Sequence, residues 1–184
     1  MLTLSFHPFP VLSTERLILR QVNKGDANET FFLRSDERVL QFLGMAPAAS
    51  IEEDLLFIKK INELESNNEA ITWGIILKGS ERLFGTICYW NITKEHFKAE
   101  LGYALHPDLH GTGIMQEALS EVLKFGFSTI KLHSIEAKVD PLNASSIKLL
   151  NRNNFIKEGL FKEDYFYNGK FLDTAVYSLL SNLK

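Results

Sequence analysis

Apolar and polar positions change period several times along the chain, and each change marks an element. Arg16-Leu17-Ile18-Leu19-Arg20-Gln21-Val22 is a compact apolar strand, preceded by Ser13-Thr14-Glu15 and ended by Asn23-Lys24-Gly25. Helical spacing then takes over. Asp26 can cap a segment through Phe31, Phe32 and Leu33, and Ser50 a second through Leu55, Leu56, Ile58, Ile61 and Leu64, with Glu53 completing a capping box. Three strands follow, Ile71 to Leu77, Leu83 to Trp90 and Ala99 to Leu105, joined by the short polar connectors Lys78-Gly79-Ser80-Glu81 and Asn91-Ile92-Thr93-Lys94, as in an antiparallel meander. Met115, Ala118, Leu119, Val122 and Phe125 recur at helical spacing, and Ser134 to Val139 alternates as a half-exposed strand. Pro141-Leu142-Asn143 leads into a short helix through Ile147 and Leu150, and Asn168-Gly169 is a type I′ hairpin dipeptide before a last strand, Phe171 to Leu180.

A meander mixed with helix crossovers predicts an α+β fold, an α/β sandwich. Its sheet should be mixed and mostly antiparallel, of about seven strands, with helices on both faces. No repeat, low-complexity tract or linker divides residues 1–184, so a single domain is expected.

Composition narrows the class. The 184 residues are 45% hydrophobic and 23% charged, as in a globular protein able to bury its own core. Twenty basic against twenty-three acidic residues give a net charge of −3, which argues against nucleic acid as an electrostatic partner and suits a cationic or neutral substrate. The lone Cys88 cannot form an internal disulfide, and in an apolar strand it reads as a buried, inert thiol. No apolar run reaches membrane-spanning length, and the opening residues lack the basic start of a signal peptide, so a cytoplasmic protein is expected.

The run His106-Pro107-Asp108-Leu109-His110-Gly111-Thr112-Gly113-Ile114-Met115-Gln116-Glu117-Ala118 joins a strand end, a glycine turn and a helix start. Glycines permit a sharp turn and close approach of backbone to a ligand, and the helix aims unpaired N–H groups at it, which suits phosphate; two-glycine turns are common, so an ordinary strand-to-helix connection is the competing reading. Neither a dinucleotide fingerprint nor a Walker loop fits: Gln116 stands where the third glycine belongs, and no Gly-Lys-Ser/Thr occurs.

The element order and these motifs resemble the GNAT superfamily of acyl-CoA N-acyltransferases, and within it the ribosomal-protein N-terminal acetyltransferases of the RimJ/RimL kind. The resembling phrases are Thr14-Glu15-Arg16-Leu17-Ile18-Leu19-Arg20, Glu100-Leu101-Gly102-Tyr103, Pro107, the Gly111/Gly113 turn, Glu117-Ala118, Asn143 with Ser146, Leu149 and Phe155, and Glu158-Gly159-Leu160-Phe161-Lys162-Glu163. Four positions in these phrases depart from the pattern: His110 replaces Gln/Arg, Met115 a small residue, Asn154 a glycine, and Lys162 the arginine the group often has. A loop that grips phosphate through backbone N–H groups tolerates the first two, and Asn tolerates the left-handed helix end that the third requires.

The resemblance implies acetyl-CoA as donor and direct transfer of acetyl to a primary amine, either a protein N-terminal α-amine or a small molecule, with no metal. A non-catalytic acyl-CoA sensor is the alternative. Nucleic acid and membrane are not expected partners, and a homodimer is compatible with the family. The donor would be held by His110, Gly111, Thr112, Gly113, Ile114 and Met115 at its pyrophosphate. Leu105, His106, Asn143 and Ser146 would hold its pantetheine arm.

Direct transfer needs a base for the ammonium and support for the departing sulfur, but no nucleophilic side chain. Glu100 is the candidate base; the competing reading is an ion pair with a nearby cation such as Lys98. The superfamily's tyrosine on the helix after the Asn is Leu150 here, so Ser146 is the candidate for the leaving-group side, against the reading of a plain first-turn serine. Tyr165 and Tyr167 are weaker alternatives that would otherwise pack in the last hairpin. His106 and His110 are loop histidines for which a solvated role competes with a site role, and Glu117 is expected to cap or pair within the fold.

Overall fold

A computed structural model describes residues 1–181. The helices are α1 (Ala27–Ser35), α2 (Glu37–Leu40), α3 (Ile51–Ser66), α4 (Ile114–Lys124) and α5 (Ala144–Arg152). The strands are β1 (Leu12–Ser13), β2 (Leu17–Gln21), β3 (Ile71–Leu77), β4 (Leu83–Thr93), β5 (Lys98–Leu105), β6 (Ser134–Val139), β7 (Ile156–Tyr167) and β8 (Lys170–Leu180). They form one sheet in the order β1-β2-β3-β4-β5-β6-β8-β7, antiparallel except for β5 and β6. The sheet therefore has eight strands. The additional one, β1, is a two-residue pairing of Leu12 with Leu19 and Ser13 with Ile18, too short to produce an alternation.

Two cores flank the sheet. On one face, α4 and α5 press Ile114, Ala118, Leu119, Val122 and Leu150 against Leu17, Leu19, Trp73, Ile75, Ile87, Tyr89 and Leu101. On the other, α1 and α3 pack Leu33, Ile58 and Ile61 against Val22, Ile76 and Leu83. Burying such side chains from both faces stabilises the sheet by roughly 1.5–3 kcal/mol for each large one relative to exposure.

The helix starts differ in detail from the sequence expectation. Asn23, not Asp26, provides the side-chain cap of the turn that opens α1, and Asp26 is buried in a bidentate pair with Arg20 at 2.7 and 2.8 Å. Ser50 caps α3 through the Glu53 N–H at 3.3 Å, while the Glu53 carboxylate reaches the N–H of Ala49 instead of closing the box on Ser50. α4 ends in a π turn over Phe125–Thr129, where the Tyr89 hydroxyl donates to the Val122 carbonyl at 2.9 Å. Asn168 and Gly169 both take positive φ, 46° and 76°, as a type I′ turn requires.

Candidate active site

The central feature is a fork in the sheet. β5 pairs with β4 along its length, from Thr93↔Lys98 to Gly85↔Leu105, but its parallel pairing with β6 covers only Lys98↔Ser134, Ala99↔Ile135 and Glu100↔Glu136. From Leu101 to Leu105, β5 has no strand partner on its β6 side. Two diagonal ion pairs close the fork's base: Lys98 Nζ to Glu136 at 2.5 Å and Lys138 Nζ to Glu100 Oε2 at 3.1 Å.

Side chains on β5 divide between the two faces by the two-residue period. Glu100, Gly102 and Ala104 lie opposite Trp90, Cys88 and Thr86 of β4 and share the face with them. Glu100 is buried at 7% exposure, and its Oε2 accepts from Asn91 Nδ2 at 3.1 Å as well as from Lys138. Its Oε1 has no partner among the described residues. The expected ion pair exists, but its cation is Lys138; Lys98 is taken by Glu136. On the same face burial, aided by the negative charge of Glu100 and offset by the Gly102 N–H, pushes the Cys88 thiol up to about 12.

On the opposite face, the Tyr103 hydroxyl and Ser146 Oγ lie 2.6 Å apart, joining β5 to the first turn of α5 across the fork. Burial pushes the Tyr103 phenol up to about 12, with the Ser146 contact acting in the other direction. Asn143 caps α5 by accepting the Ser146 N–H at 3.0 Å, which orients the turn that carries Ser146.

At the open end of β5 the glycine turn runs into α4. Gly111 and Gly113 take φ of 76° and 82°, the left-handed region that glycine enters without steric cost. A Cβ at Gly111 would meet nothing within 4 Å, and one at Gly113 only the Arg16 guanidinium at 3.4 Å. The backbone here is bare on its outer side. The Gly111, Gly113, Ile114 and Met115 N–H groups have no partner among the described residues, as expected of a helix start that holds an anion. The turn thus fits the pyrophosphate of a coenzyme.

The two histidines brace this turn. His110 Nε2 contacts the Leu105 carbonyl at 3.0 Å, tying the loop to the end of β5. His106 Nδ1 accepts the Asp108 N–H at 3.3 Å, and its ring stacks on Phe32 of α1 at 4.6 Å. Both backbone polar groups of His106 are also paired, the N–H with Phe84 at 2.7 Å and the carbonyl with the Leu109 N–H at 3.0 Å, so His106 lines the site without a free main-chain group. Thr112 is held through its own side chain, whose hydroxyl donates to Leu109 at 2.7 Å.

Tyr165 and Tyr167 do more than pack in the hairpin, and neither bonds to Glu100, Tyr103 or Ser146. Their hydroxyls donate to the carbonyls of Gly44 and Met45 at 2.6 and 2.8 Å, latching the β7–β8 hairpin to the segment between α2 and α3. Sequence reasoning also missed Lys138 and Asn91, which reach Glu100 from β6 and from the end of β4. Lys138 is readable only as an exposed member of an alternating strand, and its partner lies 38 positions away. Among the described residues no cluster of His, Cys, Asp and Glu could hold a metal ion, and no helix is long and apolar enough to cross a membrane.

Residues 16–156 match the acetyltransferase (GNAT) domain. The Bacillus subtilis protein named uncharacterized N-acetyltransferase YoaA is 36% identical over 172 residues, 94% of this chain and 97% of its own length. The Escherichia coli ribosomal protein uS5-alanine N-acetyltransferase is 28% identical over 177 residues, 91% of this chain and 89% of its own. Among solved structures, the ribosomal-protein-S5-alanine acetyltransferase of Vibrio fischeri superposes with a TM-score of 0.82 at 26% identity, covering 95% of this chain and 98% of that one. RimL in complex with coenzyme A shares the fold, with a TM-score of 0.86 at 20% identity over 95% of this chain and all of that one. With a bare glycine turn at the mouth of a forked sheet and relatives aligned over nearly its full length, the chain belongs to the GNAT acetyltransferase family and is an acetyl-CoA-dependent N-acetyltransferase acting on an amine.

Proposed function

We propose that the whole chain works as one catalytic domain that acetylates protein N-terminal α-amines, with Glu100 as general base and Ser146 supporting the departing sulfur. One relationship carries this reading: the free Oε1 of Glu100 and the hydroxyl of Ser146 bracket the same fork from opposite faces. Acetyl-CoA supplies the acetyl group as a thioester. The N–H groups of Gly111, Gly113, Ile114 and Met115 would hold its pyrophosphate, and the unpaired edge of β5 with Asn143 would hold the arm that enters the fork.

The amine then lies on the Glu100 face. Glu100 takes a proton from the ammonium, directly or through a water, so that the nitrogen lone pair can attack. The nitrogen–carbon bond forms and the carbon–sulfur bond breaks, its electron pair staying on sulfur. Of the two protons the ammonium loses, one leaves to solvent through Glu100 and one neutralises the sulfur. Ser146 steadies the sulfur with a hydrogen bond. Cys88 is half-buried rather than fully buried as its strand pattern suggests, and with its thiol pushed up to about 12 it supplies no covalent alternative.

An α-amine of a protein is preferred to a small amine because the uS5-alanine enzymes of Escherichia coli and Vibrio fischeri, at 28% and 26% identity, are more similar to the chain than the spermidine N(1)-acetyltransferase of Vibrio cholerae at 22%, although all three align along nearly its whole length. The test is thiol release from acetyl-CoA over a panel of peptides differing in their first residue, set beside polyamines and free amino acids. Turnover concentrated on peptides supports the reading. Turnover confined to small amines, or donor binding without thiol release, overturns it.

A further inference from the structure

Ser146 can steady a departing sulfur only if its proton points there, and a serine hydroxyl rotates freely unless something holds it. The neighbour that holds it is Tyr103. Its hydroxyl stands 2.6 Å from Ser146 Oγ, the short end of the range for such bonds, and it reaches there from the part of β5 that has left β6. No other hydrogen bond involves either hydroxyl among the described residues. The Ser146 side chain is therefore poised by one contact, made across the gap that the donor must enter.

We propose that Tyr103 is a positioning residue for the acetyl transfer: its phenol donates to Ser146 Oγ, leaving the serine's own proton free to point at the coenzyme A sulfur. The direction of the bond follows from acidity, since a phenol is a far stronger acid than an aliphatic alcohol and so the better donor of the two. Burial keeps the phenol protonated throughout the neutral range, so the arrangement does not switch off at working pH. Tyr103 neither gains nor loses a proton in the reaction. The superfamily's tyrosine position on α5 is Leu150 here, itself wholly buried at 0% exposure, so no phenol from that helix competes for the sulfur. This inference rests on the role proposed for Ser146.

The experiment is a double-mutant cycle of Tyr103→Phe and Ser146→Ala, with kcat, the KM for acetyl-CoA and the melting temperature measured for each. Tyr103→Phe keeps the ring and should lower kcat about three- to tenfold, with the KM for acetyl-CoA changed less than about twofold. In the Ser146→Ala background the same change should cost almost nothing further. Full and additive losses from the two changes overturn the Tyr103 proposal while leaving Ser146 in place, and an unchanged kcat for Ser146→Ala overturns both. Should Tyr103→Phe prove unstable, difluorotyrosine at position 103 keeps the ring's shape and lowers the phenol's pKa. An alkaline loss of kcat that moves to lower pH supports the proposal, and an unmoved one overturns it.

Discussion

Arg16 and Glu117, 101 positions apart, form a salt bridge of 2.6 Å that fastens the first turn of α4 to the start of β2. Glu117 Oε1 also accepts from the Thr14 hydroxyl at 2.5 Å and from the Arg16 N–H at 2.8 Å, while Arg16 Nη1 donates to the Thr112 carbonyl at 3.1 Å. Two motifs far apart in sequence, Thr14-Glu15-Arg16 and Glu117-Ala118, thus form one brace behind the glycine turn. The turn's outward N–H groups are free because a helix start has no preceding carbonyls to pair them, and this contact fixes the backbone that presents them.

Replacing Glu117 by Ala removes the acceptor for all three bonds and leaves the Arg16 guanidinium beside Gly113 without its anion. The expected loss is about 1–3 kcal/mol of stability in urea unfolding, discounted because Arg16 is half exposed, together with weaker acetyl-CoA binding at assay temperature. Unchanged donor affinity in a folded variant would mean that the turn holds its shape without the brace.

The same carboxylate gives a pH dependence. Burial pushes the Glu117 carboxyl up, but the Thr14 and Arg16 hydrogen bonds outweigh it and hold the group below its ordinary value. A depressed folded-state pKa contributes stability that is complete above the unfolded pKa, about 4.3, and is lost as pH falls through the folded one. Unfolding free energies of the native protein and Glu117→Ala should therefore differ most near neutrality and converge on acidification below about pH 4. A gap that stays constant down to pH 3 would contradict the assignment.

Glu100→Gln keeps the shape and can still accept from Asn91, but it cannot take a proton. It should lower kcat at neutral pH by about tenfold or more, with little change in KM for acetyl-CoA. Full activity at neutral pH would send the search for the base elsewhere.

Cys88 should resist alkylation. With its thiol pushed up to about 12, very little thiolate is present at pH 8, and iodoacetamide should label the native protein far more slowly than the unfolded one. No acetylated enzyme should accumulate when acetyl-CoA is mixed with the protein without acceptor, as intact-mass measurement would show. Rapid labelling, or a stable acetyl adduct on Cys88, would contradict direct transfer.

Local alternation was enough to locate the three meander strands, because each carries its own inward side chains, and the glycine turn was readable because its left-handed residues sit directly before a helical pattern. Glu100 stood out as a carboxylate followed by small residues on one face of its strand, and Ser146 was a candidate only through the family resemblance. Their partners could not be named. Whether Glu100 meets Lys98 or Lys138 depends on the parallel register of β5 and β6, in which Glu100 lies beside Glu136 and its carboxylate turns diagonally to Lys138. Asp54 illustrates the same limit: it occupies an ordinary charged helix position in sequence, yet it is wholly buried between Thr30 and Arg34, whose Nη1 lies 2.8 Å away. Tertiary pairing decides such cases, and it leaves no trace in the local pattern.

The most direct test is calorimetric titration of acetyl-CoA into the native protein and into Gly113→Asp. The aspartate would set a carboxylate beside Arg16 and into the mouth of the turn, against the donor's phosphates. Clear binding by the native protein, lost in a Gly113→Asp variant that melts normally, is the expected result. Equal affinity in both would show that the backbone amides of residues 111 to 115 do not hold the donor.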